Sequence, residues 1–180
     1  VLKGAMIGVG HVARNGHLPG WAARPDVSLV AAADARPEGR PAFEAAFPGA
    51  RWFDSPEELL AEGAPDFVDI CTPPALHAPI ASAALRAGCH VLCEKPLGIS
   101  PDELVPLADL ARRGERALVT VHNWVHAAAL DRITRLVREG KLGKVRRVSW
   151  ETLRTQPAAA AGAANWRGDP ALSGGGILVD

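Results

Sequence analysis

The chain has 180 residues, 48% of them hydrophobic, and 20 basic side chains balance 20 acidic ones. That length accommodates one full domain and part of another around a real core, and a net charge of zero argues against nucleic acid or an anionic membrane as the main partner. No run approaches the roughly 20 apolar residues of a membrane span, no signal-peptide pattern opens the chain, and the three cysteines show neither zinc spacing nor a disulfide framework, so a cytoplasmic protein with reduced thiols and no metal is expected.

Strand and helix patterns alternate from the start. The apolar run Leu2 to Val9 ends in glycines, as a buried parallel strand does. The turn Gly8-Val9-Gly10-His11-Val12-Ala13 follows and opens a helix that Gly16 and Pro19 interrupt, so it is short or kinked. A second strand covers Val27 to Asp34 and a weak one Arg51 to Phe53. Ser55-Pro56-Glu57-Glu58 reads as a capped helix start with proline at the first helical position. Further strands are expected over Asp66 to Thr72, His90 to Glu94 and Ala117 to His122. Ser100-Pro101-Asp102-Glu103 repeats the capping device, and Gly88, Gly114 and Gly140 sit where a left-handed residue closes a helix. Such alternation predicts an α/β fold, a mostly parallel sheet with helices on both faces, over residues 1–122. An amphipathic helix, Leu130 to Glu139, and a strand, Val145 to Thr152, begin a second domain over residues 123–180, with a surface loop at Gln156 to Ala164. The basic run Lys141 to Arg147 reads as a solvated helix end rather than a binding patch.

Gly8, Gly10 and Ala13 fit the G-x-G-x-x-G/A pattern that cradles a dinucleotide: a tight turn, a close approach of backbone to pyrophosphate, and close packing of helix on strand. His11 and Val12 belong to the same turn. Asp34, at the end of the second strand, can accept both ribose hydroxyls, which favours NAD; the neighbouring Arg36 can instead neutralise a 2′-phosphate, so NADP stays open. Cys71-Thr72-Pro73-Pro74 closes the next strong strand at the end where ligands of open α/β sheets bind. Thr72 can donate to the cofactor, Pro73 stiffens the loop, and His77 either contacts a ligand or caps a helix. Lys95, one of four lysines, follows the strand ending at Glu94. It can bind a substrate hydroxyl or relay its proton, with Glu94 paired to its ammonium and Pro96 ending the strand. Asn123, Trp124 and His126 are expected at the same edge. Trp166, Arg167 and Asp180 come from the second domain, where the glycines Gly174, Gly175 and Gly176 let backbone pass close to a ligand.

Together, Gly8-Val9-Gly10, Asp34, Thr72-Pro73 with His77, Glu94-Lys95-Pro96, Asn123, and the glycines before Asp180 resemble the glucose–fructose oxidoreductase and inositol dehydrogenase (Gfo/Idh/MocA) family over the whole chain. The resemblance implies a Rossmann domain for NAD or NADP. It also implies an α+β domain on an open, mainly antiparallel sheet that carries substrate contacts and the interface of a homo-oligomer, a dimer or tetramer. It implies hydride transfer between nicotinamide and a carbinol carbon of a sugar, cyclitol or related polyol. In that case Lys95 and Asp180 serve catalysis, and Trp124, His126, Trp166 and Arg167 serve the substrate. Many members carry a histidine four positions beyond the acid, and the sequence ends before that position. Many also carry an arginine shortly after the asparagine, where Trp124 and His126 stand here. Because of those departures a dinucleotide-binding sensor or scaffold without turnover is the rival reading. The 180 residues by themselves are expected to aggregate or to be inactive, through unpaired sheet edges.

Overall fold

The computed structural model describes residues 1–63, 65–151, 153, 166 and 169–174. Six parallel strands form one sheet: β1 (Leu2–Ile7), β2 (Val27–Ala33), β3 (Arg51–Phe53), β4 (Phe67–Ile70), β5 (His90–Cys93) and β6 (Leu118–Thr120). Their spatial order is β3-β2-β1-β4-β5-β6. The chain winds outward from β1 to one edge, returns, and winds outward to the other, so the order reverses between β1 and β4. Loops there leave in opposite directions and open a crevice above the carboxyl ends of the two strands.

The alternation of side chains along each strand assigns the two faces. Ala5, Ile7, Ala31, Ala33, Val68, Ile70, Val91 and Cys93 point to one face. There they meet α3 (Pro56–Ala61), α4 (His77–Arg86) and α5 (Pro101–Arg113) through Leu59, Ile80, Leu85 and Leu107. Met6, Ala32 and Phe67 point to the other, joined by Leu29 because a register shift between Leu29 and Ala31 interrupts the alternation, against α1 (Leu18–Ala22) and α2 (Arg40–Ala46) through Leu18 and Phe43. Phe43 is fully buried, and burial of a side chain of that size contributes roughly 1.5–3 kcal/mol. The weak β3 of the sequence is a true edge strand, because it pairs with β2 through Ala31, Ala32 and Ala33.

The interrupted first helix takes a specific form. Residues Ala13–His17 widen into a π turn in which the Leu18 N–H reaches Ala13 O. Pro19 has no N–H to offer the carbonyl four residues back and its ring crowds that position, so a wider turn relieves the conflict. The extra residue re-phases the helix and turns His17 inward.

Of the three helix ends expected to close on glycine, two do so at positive φ, at Gly88 (+86°) and Gly140 (+70°). The expectation for Gly114 is corrected: it stays right-handed at φ −82°, and the left-handed residue is Glu115 at φ +53°. Here the Arg116 N–H bonds Ala111 O at 2.9 Å, just as Cys89 bonds Ala84 at 3.0 Å and Lys141 bonds Leu136 at 3.0 Å. The closure is the same six-residue turn at all three ends. At α5 the helix simply runs one residue further before closing.

By packing, Val1–Val121 and the described residues from Trp166 on form one unit, and the described residues of His122–Asn165 another. The second unit contains a short 3₁₀ turn, Asn123–His126, and α6 (Ala128–Arg138). The strand expected over 145–152 is absent from 145–151, which have no regular structure. A strand exists only through a ladder partner, and no described segment pairs with this one. By packing, α7 (Pro170–Ser173) belongs with the first unit. Ser173 is buried, and Gly174, at φ +77°, lies so close to Ile99 that an added Cβ would meet its side chain at 2.6 Å. The expected loop 156–164 lies outside the described residues.

Candidate active site

The glycine turn rises from β1 at the point where strand order reverses. Gly8 has φ +85°, and a Cβ there would come within 2.8 Å of the backbone of Cys71 and Thr72. Only glycine allows β1 and β4 to approach so closely at their carboxyl ends. At Gly10 an added Cβ would meet nothing within 4 Å, so the turn is open on the side where a ligand's phosphates would approach. His11 and Val12 are exposed beside it, and the Asn15 side chain donates to His11 O at 2.8 Å.

Asp34 secures this turn. Its Oδ2 accepts from the Val9 N–H at 2.8 Å and its Oδ1 from the Arg36 N–H at 2.9 Å. Each oxygen keeps a further lone pair for a hydroxyl. Arg36 itself is exposed at the same strand end.

Across the crevice, Thr72 Oγ1 is buried and has no hydrogen-bond partner among the described residues. An orphaned buried hydroxyl is costly, and its methyl adjoins Gly8, 2.9 Å from where a Cβ would sit. A turn that excludes side chains, an open phosphate side, a strand-end carboxylate and an orphaned donor fit a bound dinucleotide.

His77 lies within the protein, 1% exposed. Its Nδ1 sits 2.6 Å from Pro96 O and its Nε2 2.7 Å from Thr72 O. This corrects the direct ligand contact expected of it, because both ring nitrogens are committed to backbone. The ring ties the loop after β4 to the loop after β5, and so holds Thr72 and Pro73 in place from behind. The Lys95–Pro96 peptide is cis.

Lys95 is half-buried at the carboxyl end of β5. Against the cost of burial, the Lys95 charge helps hold the Glu94 carboxyl low, while the hydrogen bonds of Glu94 go elsewhere. Glu94 Oε1 lies 2.9 Å from His17 Nε2, and its Oε2 accepts from the Lys95 backbone N–H at 3.2 Å. On the other side of the ring, His17 Nδ1 lies 2.8 Å from Asp69 Oδ2, which also accepts from Trp21 Nε1 at 2.6 Å. Asp69 is fully buried in the middle of β4. Strand alternation puts Asp69 and Glu94 on the face of α1, opposite Val68, Ile70 and Cys93, which is where His17 and Trp21 wait. Burial works against a charged ring, but its hydrogen bonds to Asp69, Cys71 and Glu94 outweigh that and push the His17 pKa from 6.5 to about 12. Burial likewise opposes ionisation of Glu94, but the His17 bond and charge hold its carboxyl below the usual range. Burial, with Asp69 and Glu94 nearby, pushes the Cys71 thiol up to about 12. His17, Trp21 and Asp69 escaped the sequence reading. The available signal was an aspartate inside an otherwise apolar strand.

Asn123, Trp124, Val125 and His126 form the exposed 3₁₀ turn of the second unit, where Trp124 packs edge-on against Trp150 at 6.1 Å. Arg167 and Asp180 lie outside the described residues, as do Gly175 and Gly176.

Residues 2–122 match the model of an oxidoreductase family with an NAD-binding Rossmann fold, and residues 130–180 match the Gfo/Idh/MocA C-terminal domain. The chain belongs to the Gfo/Idh/MocA oxidoreductase family. Among curated proteins it is 33% identical to the D-glucoside 3-dehydrogenase of Escherichia coli over 99% of the chain and 50% of that protein. It is 37% identical to a dTDP-3,4-didehydro-2,6-dideoxy-alpha-D-glucose 3-reductase of Streptomyces violaceoruber over 98% of the chain and 50% of that protein. The chain thus spans about half the length of the curated relatives it matches. Among solved structures, the WlbA dehydrogenase of Bordetella pertussis, in complex with NADH and UDP-GlcNAcA, is similar at TM-score 0.73 and 29% identity, over 79% of this chain and 43% of that one. A 3-ketoreductase from Actinomadura kijaniata in complex with NADP is similar at TM-score 0.73 and 29% identity, over 81% and 46%. No described helix is long and apolar enough to cross a membrane.

Proposed function

We propose that the protein is an NAD(P)-dependent oxidoreductase acting on a sugar or related polyol, with a secondary hydroxyl or ketone of a hexose ring as the reacting group. The orphaned, buried Thr72 hydroxyl beside the glycine turn carries the cofactor half of this reading. The relatives carry the substrate half, since two named ones act at position 3 of a glucose-type ring. Residues 1–122 are the cofactor domain and residues 123–180 begin the substrate domain.

Each residue has an assigned task. Gly8 and Gly10 keep the turn clear for phosphates, with His11 and Val12 at its rim, while Cys71, Thr72 and Pro73 line the opposite wall. Asp34 accepts the ribose hydroxyls, which makes NAD the favoured cofactor, and Arg36 is the residue that would admit NADP. A bound nicotinamide supplies the hydride acceptor or donor. Lys95 binds the reacting hydroxyl and helps move its proton. Asn123, Trp124, His126, Trp166 and Arg167 contact cofactor or substrate, and Asp180 orients the substrate. The protein works in the cytoplasm as a homo-oligomer through its second domain. The exposed apolar positions Ile133 and Val137 of α6 are in keeping with a covered face there.

Calorimetric titration of the full-length protein with NADH and with NADPH tests the cofactor. Tighter NADH binding supports Asp34 as the ribose ligand, tighter NADPH binding moves that role to Arg36, and binding of neither ends the nicotinamide reading. Lys95→Met is expected to lower turnover of a glycoside by about 10²-fold or more while leaving NADH affinity within about threefold. Full activity in that variant would remove Lys95 from the chemistry. NADH binding without turnover of any sugar or polyol would favour the sensor reading.

A further inference from the structure

Three ionisable side chains meet inside the first unit beneath the crevice. The side chain of Asp69 has no exposure, and those of His17 and Glu94 have 12% and 16%. Groups so placed are costly unless each is paired and hydrogen-bonded. Here they form a chain: the Trp21 indole and one ring nitrogen of His17 on Asp69 Oδ2, the other ring nitrogen on Glu94 Oε1, and the Lys95 amide on Glu94 Oε2. The chain runs from the π turn behind the glycine turn to the backbone of Lys95.

His17, Asp69 and Cys71 also place their ligand atoms within 4.8 Å of one another, but the contacts are those of protons rather than of a metal. His17 Nδ1 is 2.8 Å from Asp69 Oδ2, whereas two ligands each about 2.0 Å from a tetrahedral zinc lie roughly 3.3 Å apart. The same oxygen is already occupied by Trp21.

We propose that His17 is a positioning residue for Lys95: its imidazolium, held by Asp69, fixes Glu94, and Glu94 holds the backbone amide of Lys95 at the end of β5. This task for His17 depends on the role proposed above for Lys95 at the reacting hydroxyl. A lysine on a long, mobile stem reaches a reacting atom reproducibly only if its backbone is fixed. A misplacement of about 1 Å costs on the order of 10²-fold in rate. Because His17 lies just behind the glycine turn, the network also sets the lysine and the cofactor turn in one frame.

In the full-length protein, His17→Asn and Glu94→Gln each break one link. Amide exchange at the Lys95 N–H is expected to speed up about tenfold or more in both, while the Met6 and Ala32 amides in the middle of the sheet keep their protection. Turnover of methyl D-glucoside with NAD is expected to fall about 10–100-fold, with the Kd for NADH changed by less than about threefold. Either change added to Lys95→Met should cost less than about a further twofold. A residue that only supports the fold would instead lower the protection of the whole sheet, and its loss would multiply with that of Lys95→Met. Unchanged exchange at Lys95 in a folded variant, or multiplying losses, overturns the proposal. If His17→Asn does not fold, Glu94→Gln decides by the same two readouts. If the wild-type protein binds no NADH or turns over no glucoside, the oxidoreductase reading fails separately, and the exchange measurement still decides the network.

Discussion

His17 is the residue whose chemistry differs most from what its place in the sequence suggests. Its imidazole gains two carboxylate partners on folding, and its pKa rises from 6.5 to about 12. A group whose folded pKa is raised contributes its full stability below the unfolded value, so this contribution is complete below about pH 6.5 and is lost as pH rises toward about 12. Glu94 is depressed from 4.5. Its contribution is complete above that value and is lost as pH falls through and below it. The pair therefore stabilises most between about pH 4.5 and 6.5. Urea midpoints of the wild type are expected to fall steadily from pH 6.5 to 9, and those of His17→Asn to be nearly flat over the same range. A parallel fall in both would remove the imidazolium from the stability of the fold.

At the level of elements, helix ends carry a smaller but cleaner test. Glu115 holds φ +53° at the close of α5, a conformation that costs a residue with a Cβ about 1 kcal/mol. Glu115→Gly removes that cost and adds backbone entropy to the unfolded chain, so a net gain of about 0.5 kcal/mol in urea denaturation is expected. A loss would mean that the Glu115 side chain holds something the turn geometry does not show. The helix was legible in the sequence: Ser100 Oγ accepts from the Asp102 N–H and Glu103 accepts from the Ser100 N–H, as the Ser-Pro-Asp-Glu pattern predicts. Its stop was misplaced by one residue, because a glycine marks where a left-handed turn is cheap and not where the last helical hydrogen bond falls. The strand expected over 145–152 failed for a related reason. An alternating apolar pattern shows that a segment can join a sheet, but not which partner it finds.

For the molecule as a whole, the crevice is the place where folding leaves work undone. Thr72→Val removes a buried hydroxyl that has no described partner and keeps its shape. The ligand-free protein is therefore expected to be equally stable or slightly more so. Saturating NADH raises stability by about 2.7 kcal/mol at one hundred times Kd. The valine variant should bind NADH about tenfold more weakly, because it has lost one hydrogen bond to the ligand. Thermal melts with and without NADH distinguish the two effects. An unchanged NADH affinity would mean that the hydroxyl faces no cofactor atom.

The sequence by itself determined the alternation of strands and helices, the glycine turn, and the place of Lys95 at a strand end. Each depends on local rules: hydrophobic period, capping residues and the steric freedom of glycine. Only the tertiary structure decided which side chains meet. It placed Asp69 on the α1 side of β4, turned His17 inward through a π turn, set Glu94 against His17 as well as within reach of the Lys95 charge, and buried His77 between two carbonyls. Apart from Thr72, five residues from His77, and Lys95, next to Glu94, those partners lie 19 to 77 residues apart in the chain. No local pattern specifies which distant charged group a carboxylate will meet once strand order and strand face have brought it within reach.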